Sequence, residues 1–369
     1  MPKNWQNSVN FGFPFDISSA LCVLESGKRP VIAVVGDYCL DKYLLIDSRL
    51  EESSLETGLP AHQVRHKRIF PGAAGTVANN LAALGAEVLA VGLCGDDGEG
   101  YELLRALRER HIDVSGITRC PEMFTPTYIK PIYEKDGSEQ ELSRLDIRNS
   151  TPVPAEAVKQ VKKALPKLVP RCDAVAVADQ FTDQTGSVLG GDLPDLLAEL
   201  AESYPEKFFM ADSRSYATRY RNMLVKCNAD ELLDMVYRLG HPEAKAEVAA
   251  DESANRSLKT LLEAGTRLAS RNTRPVLVTR GAEGAILFDT ASEPVFIPAI
   301  PVSPPIDICG AGDATNAGLT FARALGIPLP ESALVAAIVS SITIRQIGVT
   351  GTADLEEVCQ VLRGYCQKS

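Results

Sequence analysis

The stretch VIAVVG, residues 31–36, is apolar on both faces instead of alternating between apolar and polar. A strand buried between two layers of helices requires that pattern, whereas a half-exposed antiparallel strand does not. Further runs of the same kind follow: EVLAVGL (87–93), AVAVA (174–178), KFFMA (207–211), MLVKC (223–227), PVLVT (275–279) and GAILF (284–288). Helical patterns separate several of them, at 76–85, 99–110, 154–168, 192–203 and 256–271. With these runs read as buried parallel strands, the alternation predicts an α/β fold: a doubly wound, mostly parallel sheet flanked by helices.

Two segments break the pattern. Residues 38–70 and 124–147 are more polar and alternate weakly. In the second, TPTYIKPIYEKDGSEQELSRLD, the pair Asp136-Gly137 stands between two strand-like halves, a hairpin signal. We read both as strands of a small β-sheet that projects from the main domain as a lid. Residues 1–30 form an N-terminal extension, in which Asp16 is the N-cap of a short helix ending near Gly27, and residues 31–369 form the domain. The Pro-rich IPAIPVSPPI (297–306) is an extended approach to the motif that follows it.

Composition narrows the function. A net charge of −10 argues against a general nucleic-acid binder, which would carry a basic face. The nine cysteines are scattered and never form C-x-x-C, which suits reduced thiols rather than a disulfide framework or a zinc site. No apolar run approaches the ~20 residues that a membrane span needs. The N-terminus lacks a basic region followed by an unbroken apolar stretch, so the expected location is the cytoplasm. His62 and His66 have i, i+4 spacing without an acidic partner after them, which gives little reason to expect a metal there.

The sequence holds no G-x-x-x-x-G-K-S/T, and VIAVVG ends in the single glycine Gly36 with no G-x-G-x-x-G after it. A different phosphate motif is present: DICGAGDAT, residues 307–315. Beyond Asp313, small and apolar residues recur at Ala314, Ala317, Gly318, Phe321, Ala322 and Leu325, a helical face that Gly326 stops. Gly310, Ala311 and Gly312 then form a helix N-terminus whose free N–H groups suit an anion. Glycine lets phosphate oxygens approach the backbone closely. Asp313 cannot ligate such an anion, but it fits a base that takes the proton of an attacking hydroxyl. Taken alone, an Asp that only complements the helix dipole explains the motif as well.

The motif has company. FPGAAGTVANNLAALG (70–85), VGLCGDDGEGYELLRALRERHIDVSGI (91–117), NADE (228–231), VTRGAEGAILF (278–288) and DICGAGDATNAG (307–318) occur in that order. Together, from about residue 31 to 363, they resemble the ribokinase-like (PfkB) sugar kinases. The resemblance implies a catalytic motif of Gly310, Ala311, Gly312 and Asp313, with Asp313 as base and the amides of Ala311 and Gly312 as an anion hole. It implies that Asn228 and Glu231 position Mg²⁺ and phosphates, largely through water. Thr279, Gly281 and Gly284 would lie along ATP, and residues 340–350, which include Gly348, would flank the adenine. Asp307 would lie near a monovalent cation such as K⁺.

Within the family, VVGDYCLDKY, PTYIKPIY…ELSRLDIRN and VAVADQF are similar to the heptose-7-phosphate kinases. That match implies Asp41, Arg144, Asp146 and Asp179 near the acceptor. Gly72-Ala73 stands where the family has a sugar-binding diglycine, and Thr76 where an Asn is common. Bifunctional relatives carry a nucleotidyltransferase domain with H-x-G-H, a motif missing from these 369 residues, so the kinase reaction alone is expected. The alternatives are a kinase of a hexose, ribose or nucleoside, or a non-catalytic sugar- or nucleotide-sensing protein on the same fold. The lid, with sheet edges to cover, suggests a homodimer. The basic run HQVRHKR (62–68), with Arg65, Lys67 and Arg68, and the nearby Lys130, Arg144 and Arg148 suggest an acceptor that already carries phosphate.

Overall fold

The computed structural model of the chain describes residues 15–135, 138–238 and 254–366. Its strands, in chain order, are β1 (Val31–Asp47), β2 (Glu52–Ser53), β3 (Pro60–Ala61), β4 (Val64–Ala73), β5 (Glu87–Gly95), β6 (Asp113–Cys120), β7 (Thr127–Lys135), β8 (Ser138–Glu141) and β9 (Leu145–Ile147). They continue with β10 (Ala174–Asp179), β11 (Phe208–Ser213), β12 (Leu224–Asn228), β13 (Val276–Thr279), β14 (Ala285–Asp289) and β15 (Ser292–Ile297). The main sheet runs β15-β14-β13-β12-β11-β10-β1-β5-β6.

Successive residues of one strand feed two different cores. Ile32 and Val34 pack with Val77, Leu103, Leu319 and Val335, which come from helices on one face. Ala33 and Val35 pack with Val161, Leu197, Leu232 and Leu268, from helices on the other. Apolarity on both faces is thereby explained, and the chain order reverses at β1, between β10 and β5. In such sheets ligands bind beyond the carboxyl ends of the strands at the reversal.

One expected direction is corrected. GAILF is not a parallel strand: β14 pairs antiparallel with β13, and β15 antiparallel with β14. Five residues, 280–284, join β13 to β14, too few for a crossover. The turn depends on Gly284, whose φ is +83° and where a Cβ would lie 2.1 Å from the Ile297 oxygen.

The second departure concerns β1. No loop separates VIAVVG from the small sheet; the same 17-residue strand continues through both. Up to Asp37 it pairs in parallel with β5 and β10, and from Tyr38 it pairs antiparallel with β4 and, from Leu40, parallel with β7. Gly36 sits at the change of partners, where a Cβ would lie 2.3 Å from the Ala178 oxygen. Strands β8 and β9 each pair antiparallel with β7, and a minor core of Tyr43, Leu45 and Ile132 sits against Phe70. The Asp136-Gly137 pair, expected as a hairpin turn, lies outside the described residues; Lys135 pairs with Ser138.

At the N-terminus, the Asp16 side chain accepts from the Ser19 N–H at 2.9 Å and caps the helix Ile17–Leu24. Ile17, Ala20 and Leu24 are buried in the same core as Leu362.

Candidate active site

The loop before the helix Ala311–Ala324 carries the first half of the site. Gly310, at φ +77°, is its left-handed N-cap, and Asp313 lies in its first turn. A Cβ on Gly312 would come within 2.9 Å of Lys226 Nζ, so at this glycine the backbone lies close to the ammonium. Lys226, on β12, pairs with Asp212, on β11, at 2.7 Å; both are almost fully buried and in direct register. Loss of water around Asp313 and the charge of Asp212 push its carboxyl up to about 7, against the pull of Lys226 and Arg214. A carboxyl in that range can take a proton from a hydroxyl near neutral pH.

Asp307 ties two loops together. Its carboxylate accepts the Cys309 N–H at 3.0 Å and the Gly348 N–H at 3.2 Å, while its own N–H donates to the Ile344 oxygen at 2.8 Å. Asn228 and Glu231 form a reciprocal capping box on the helix Ala229–Arg238. The Asn228 N–H donates to Glu231 Oε2 (2.8 Å) and the Glu231 N–H to Asn228 Oδ1 (2.9 Å). Burial raises the Glu231 carboxyl above its ordinary value. Thr279 ends β13, and Gly281, at φ +54°, and Gly284 shape the turn after it.

The second half comes from the small sheet. Lys130 Nζ lies 3.3 Å from Asp41 Oδ1 and 3.0 Å from the Tyr43 hydroxyl. Burial works against the Lys130 charge, but Asp41 and Tyr43 overcome it and hold the ammonium protonated. Asp41 lies close enough to Asp313 to raise it further. A Cβ on Gly72 would lie 2.7 Å from Cys39 Sγ and 2.8 Å from Asp41 Oδ2, so this glycine lets β4 close against the carboxylate. Ala73 is strained, with φ +52° and ψ −117°, where the family resemblance puts a second glycine.

The remaining predicted acceptor residues are placed less directly. Arg144 and Arg148 both bind Asp146, at 2.7 and 2.8 Å, and both guanidiniums lie over the Tyr128 ring. The Thr76 hydroxyl donates to the Pro71 oxygen at 3.2 Å. Asp179 is 1% exposed and accepts from Ser213 Oγ, Tyr220 OH and Gln184 Nε2 at 2.8, 2.9 and 3.1 Å. Its partners are therefore internal. In the basic run, Arg65 pairs with Asp47 at 3.3 Å and Arg68 with Glu139 at 2.7 Å. His62 contacts Glu51 at 3.2 Å, and no cluster of metal-ligating side chains occurs among the described residues.

Sequence reasoning missed Lys226, Asp212 and Arg214. A signal existed: a lysine inside the apolar run MLVKC, two residues before Asn228, and an aspartate directly after KFFMA. A charge inside a buried strand needs a partner.

Comparison with known proteins identifies the family and the fold. The pfkB family carbohydrate kinase profile matches residues 32–355. The bifunctional protein HldE of Wolinella succinogenes is 27% identical over 345 residues, covering 94% of this chain and 67% of that protein. That of Geobacter metallireducens is 28% identical over 328 residues, covering 88% and 61%. The chain thus spans about two thirds or less of these relatives' length. Among solved structures, Arabidopsis thaliana ribokinase complexed with ribose and ATP superimposes with a TM-score of 0.64 at 16% identity, covering 91% of this chain and 99% of that one. Escherichia coli phosphofructokinase-2 in complex with fructose-6-phosphate gives 0.64 at 16%, covering 92% and 99%. The fold is ribokinase-like, and the chain belongs to the pfkB family of carbohydrate kinases.

Proposed function

We propose that this phosphotransferase moves the γ-phosphate of ATP to a hydroxyl of a sugar phosphate, with a heptose 7-phosphate the best match. The observation that carries the proposal is the turn Gly310–Asp313: a left-handed glycine, helix-end amides, and a carboxyl raised to about 7. In this reading the amides of Gly310, Ala311 and Gly312 hold phosphoryl oxygens and Asp313 takes the acceptor's proton. Asp41, held by Lys130, accepts hydrogen bonds from acceptor hydroxyls.

The donor set suits Mg²⁺, which keeps several waters and takes few protein carboxylates. Glu231 uses one oxygen in its capping box and would hold a hydrated ion with Asn228 through the rest of the pair. Bound there, Mg²⁺ would neutralise phosphate charge. A monovalent cation such as K⁺ at Asp307 would share that carboxylate with two backbone N–H donors.

Free thiols at all nine cysteines support a reducing location, the cytoplasm. No helix among the described residues is long and apolar enough to cross a membrane. The exposed Leu50, Leu55, Leu59 and Val64 near the small sheet support its pairing with a second copy.

The test is a phosphorylation screen with ATP across free sugars, nucleosides and sugar phosphates. The expected result is turnover on a heptose 7-phosphate that exceeds turnover on the unphosphorylated heptose. Equal activity on the two would remove the sugar-phosphate assignment, and silence across the panel would remove the kinase assignment.

A further inference from the structure

Two arginines follow β11 within six residues and are used in opposite ways. Arg219 is consumed by the fold: it donates to Gln184 Oε1 at 3.1 Å, to the Leu189 oxygen at 3.2 Å and to the Gly191 oxygen. It thereby fixes the loop after β10. Arg214 is anchored only at its base. Its backbone N–H donates to the Asp179 oxygen at 3.3 Å and its Nε to Gln180 Oε1 at 2.8 Å. Both terminal nitrogens are without a partner, and no carboxylate pairs with it, among the described residues. The side chain is exposed.

The other cations placed above in the site and the small sheet are neutralised. Lys226 has Asp212, Lys130 has Asp41, Arg144 and Arg148 share Asp146, and Arg65 and Arg68 have Asp47 and Glu139. Arg214 nevertheless stands close enough to act on Asp313, Glu231, Cys39 and Tyr128, which come from four different elements. It stands directly after β11, two residues beyond Asp212, whose Oδ2 would lie 4.0 Å from a Cβ on Gly312, and so belongs to the strand-end cluster beside the Gly310–Asp313 turn. A guanidinium tethered through Nε by a neutral amide presents its two terminal nitrogens as a preset fork, the geometry that matches two phosphoryl oxygens.

We infer that Arg214 grips a phosphoryl group between the acceptor wall and Asp313. The inference rests on the kinase reading and assigns it a contact that the family motifs do not contain. The group held is either the phosphate already on the acceptor or the phosphoryl in transfer, and the two are separable.

The experiment compares wild type, Arg214→Met and Arg214→Lys, with Arg221→Gln as a control at an exposed arginine paired with Asp195. Steady-state kinetics use ATP with a phosphorylated acceptor and its unphosphorylated parent. Calorimetric titration of inorganic phosphate into the nucleotide-free protein gives a readout independent of turnover. Arg214→Met is expected to weaken phosphate binding at least tenfold, and Arg214→Lys less, because it keeps the charge without the fork. A grip on the acceptor's phosphate shows as a KM for the phosphorylated acceptor raised at least tenfold. A grip on the phosphoryl in transfer shows as a kcat lowered at least tenfold on both acceptors. Phosphate binding and kinetics within twofold of wild type in Arg214→Met overturn the inference, as does an effect confined to the KM for ATP. A wild-type enzyme silent on every acceptor overturns the kinase reading instead, and the phosphate titration still decides whether Arg214 binds the anion.

Discussion

The Gly310–Asp313 turn and the small sheet around Asp41 lie within electrostatic reach of each other, yet they are built on opposite principles. The turn is a backbone device: a left-handed glycine, a helix end, and a buried ion pair pressed against Gly312. The small sheet works through side chains, with Lys130–Asp41, Arg68–Glu139 and the Arg144–Asp146–Arg148 cluster. A backbone device admits few substitutions, because a single Cβ fills it. Pairs as exposed as Arg68–Glu139 and Arg148–Asp146 are exchangeable and each contributes only ~0–1 kcal/mol. The contrast teaches why the reaction is easier to assign than the acceptor.

The largest expected effect tests the turn. Asp313→Asn should lower kcat by ~10²–10⁴-fold, the usual worth of positioned proton transfer, while ATP binding persists. The sign of the pH dependence follows: the base must be unprotonated and titrates at about 7, so wild-type kcat falls as pH drops below that value and levels above it. A pH–rate profile of the variant should lack this limb; near-normal turnover would falsify the assignment of the base.

The next effect is on stability. Lys226→Met strands the Asp212 carboxylate in the interior and should cost about 3–5 kcal/mol in urea unfolding. Adding Asp212→Asn should restore much of the loss. If the single variant is as stable as wild type, the buried pair is not what backs Gly312.

Smaller effects belong to the other region. Ala73→Gly relieves a backbone conformation that suits glycine, offset by extra freedom in the unfolded chain, and should stabilise by about 0.5–1 kcal/mol. A lower urea midpoint would show that the Ala73 methyl contributes more than its strain costs. Smallest of all, Arg68→Gln should change stability by less than about 1 kcal/mol, since its pair with Glu139 is largely exposed. A larger loss would mean that the small sheet is held by its charges, and the contrast would fail.

The same division governs what the sequence disclosed. The main sheet was legible because each buried strand serves two cores, as Ile32 and Ala33 do, and leaves an unbroken apolar run. Strand direction was not: GAILF reads like its parallel neighbours, and its reversal is set by the short turn at Gly284. The continuation of β1 was hidden because Asp37, Asp41 and Lys42 look like loop residues. Each instead has a specific partner: Asp37 accepts from Ser187 and Val188, Asp41 contacts Lys130, and Lys42 binds Glu99 and Glu102. The Gly310–Asp313 turn was legible because its residues are consecutive. Lys226, Asp212 and Arg214 meet only when strand ends align, a relation that spacing along the chain does not encode.

The shared strand β1 also has a mechanical meaning. At ~3.3 Å per residue, its 17 residues form a beam on the order of 55 Å long, clamped in the main sheet by β5 and β10 and carrying β4 and β7 on its overhang. A hinge needs a few dihedrals free to rotate, usually in a loop. Here β1 supplies none, and the Lys42 ion pairs to Glu99 and Glu102 brace the overhang like a stay. Any swing of the small sheet must therefore twist the beam itself. The load would pass to the Gly36–Ala178 crossing, and the sheet would spring back when released.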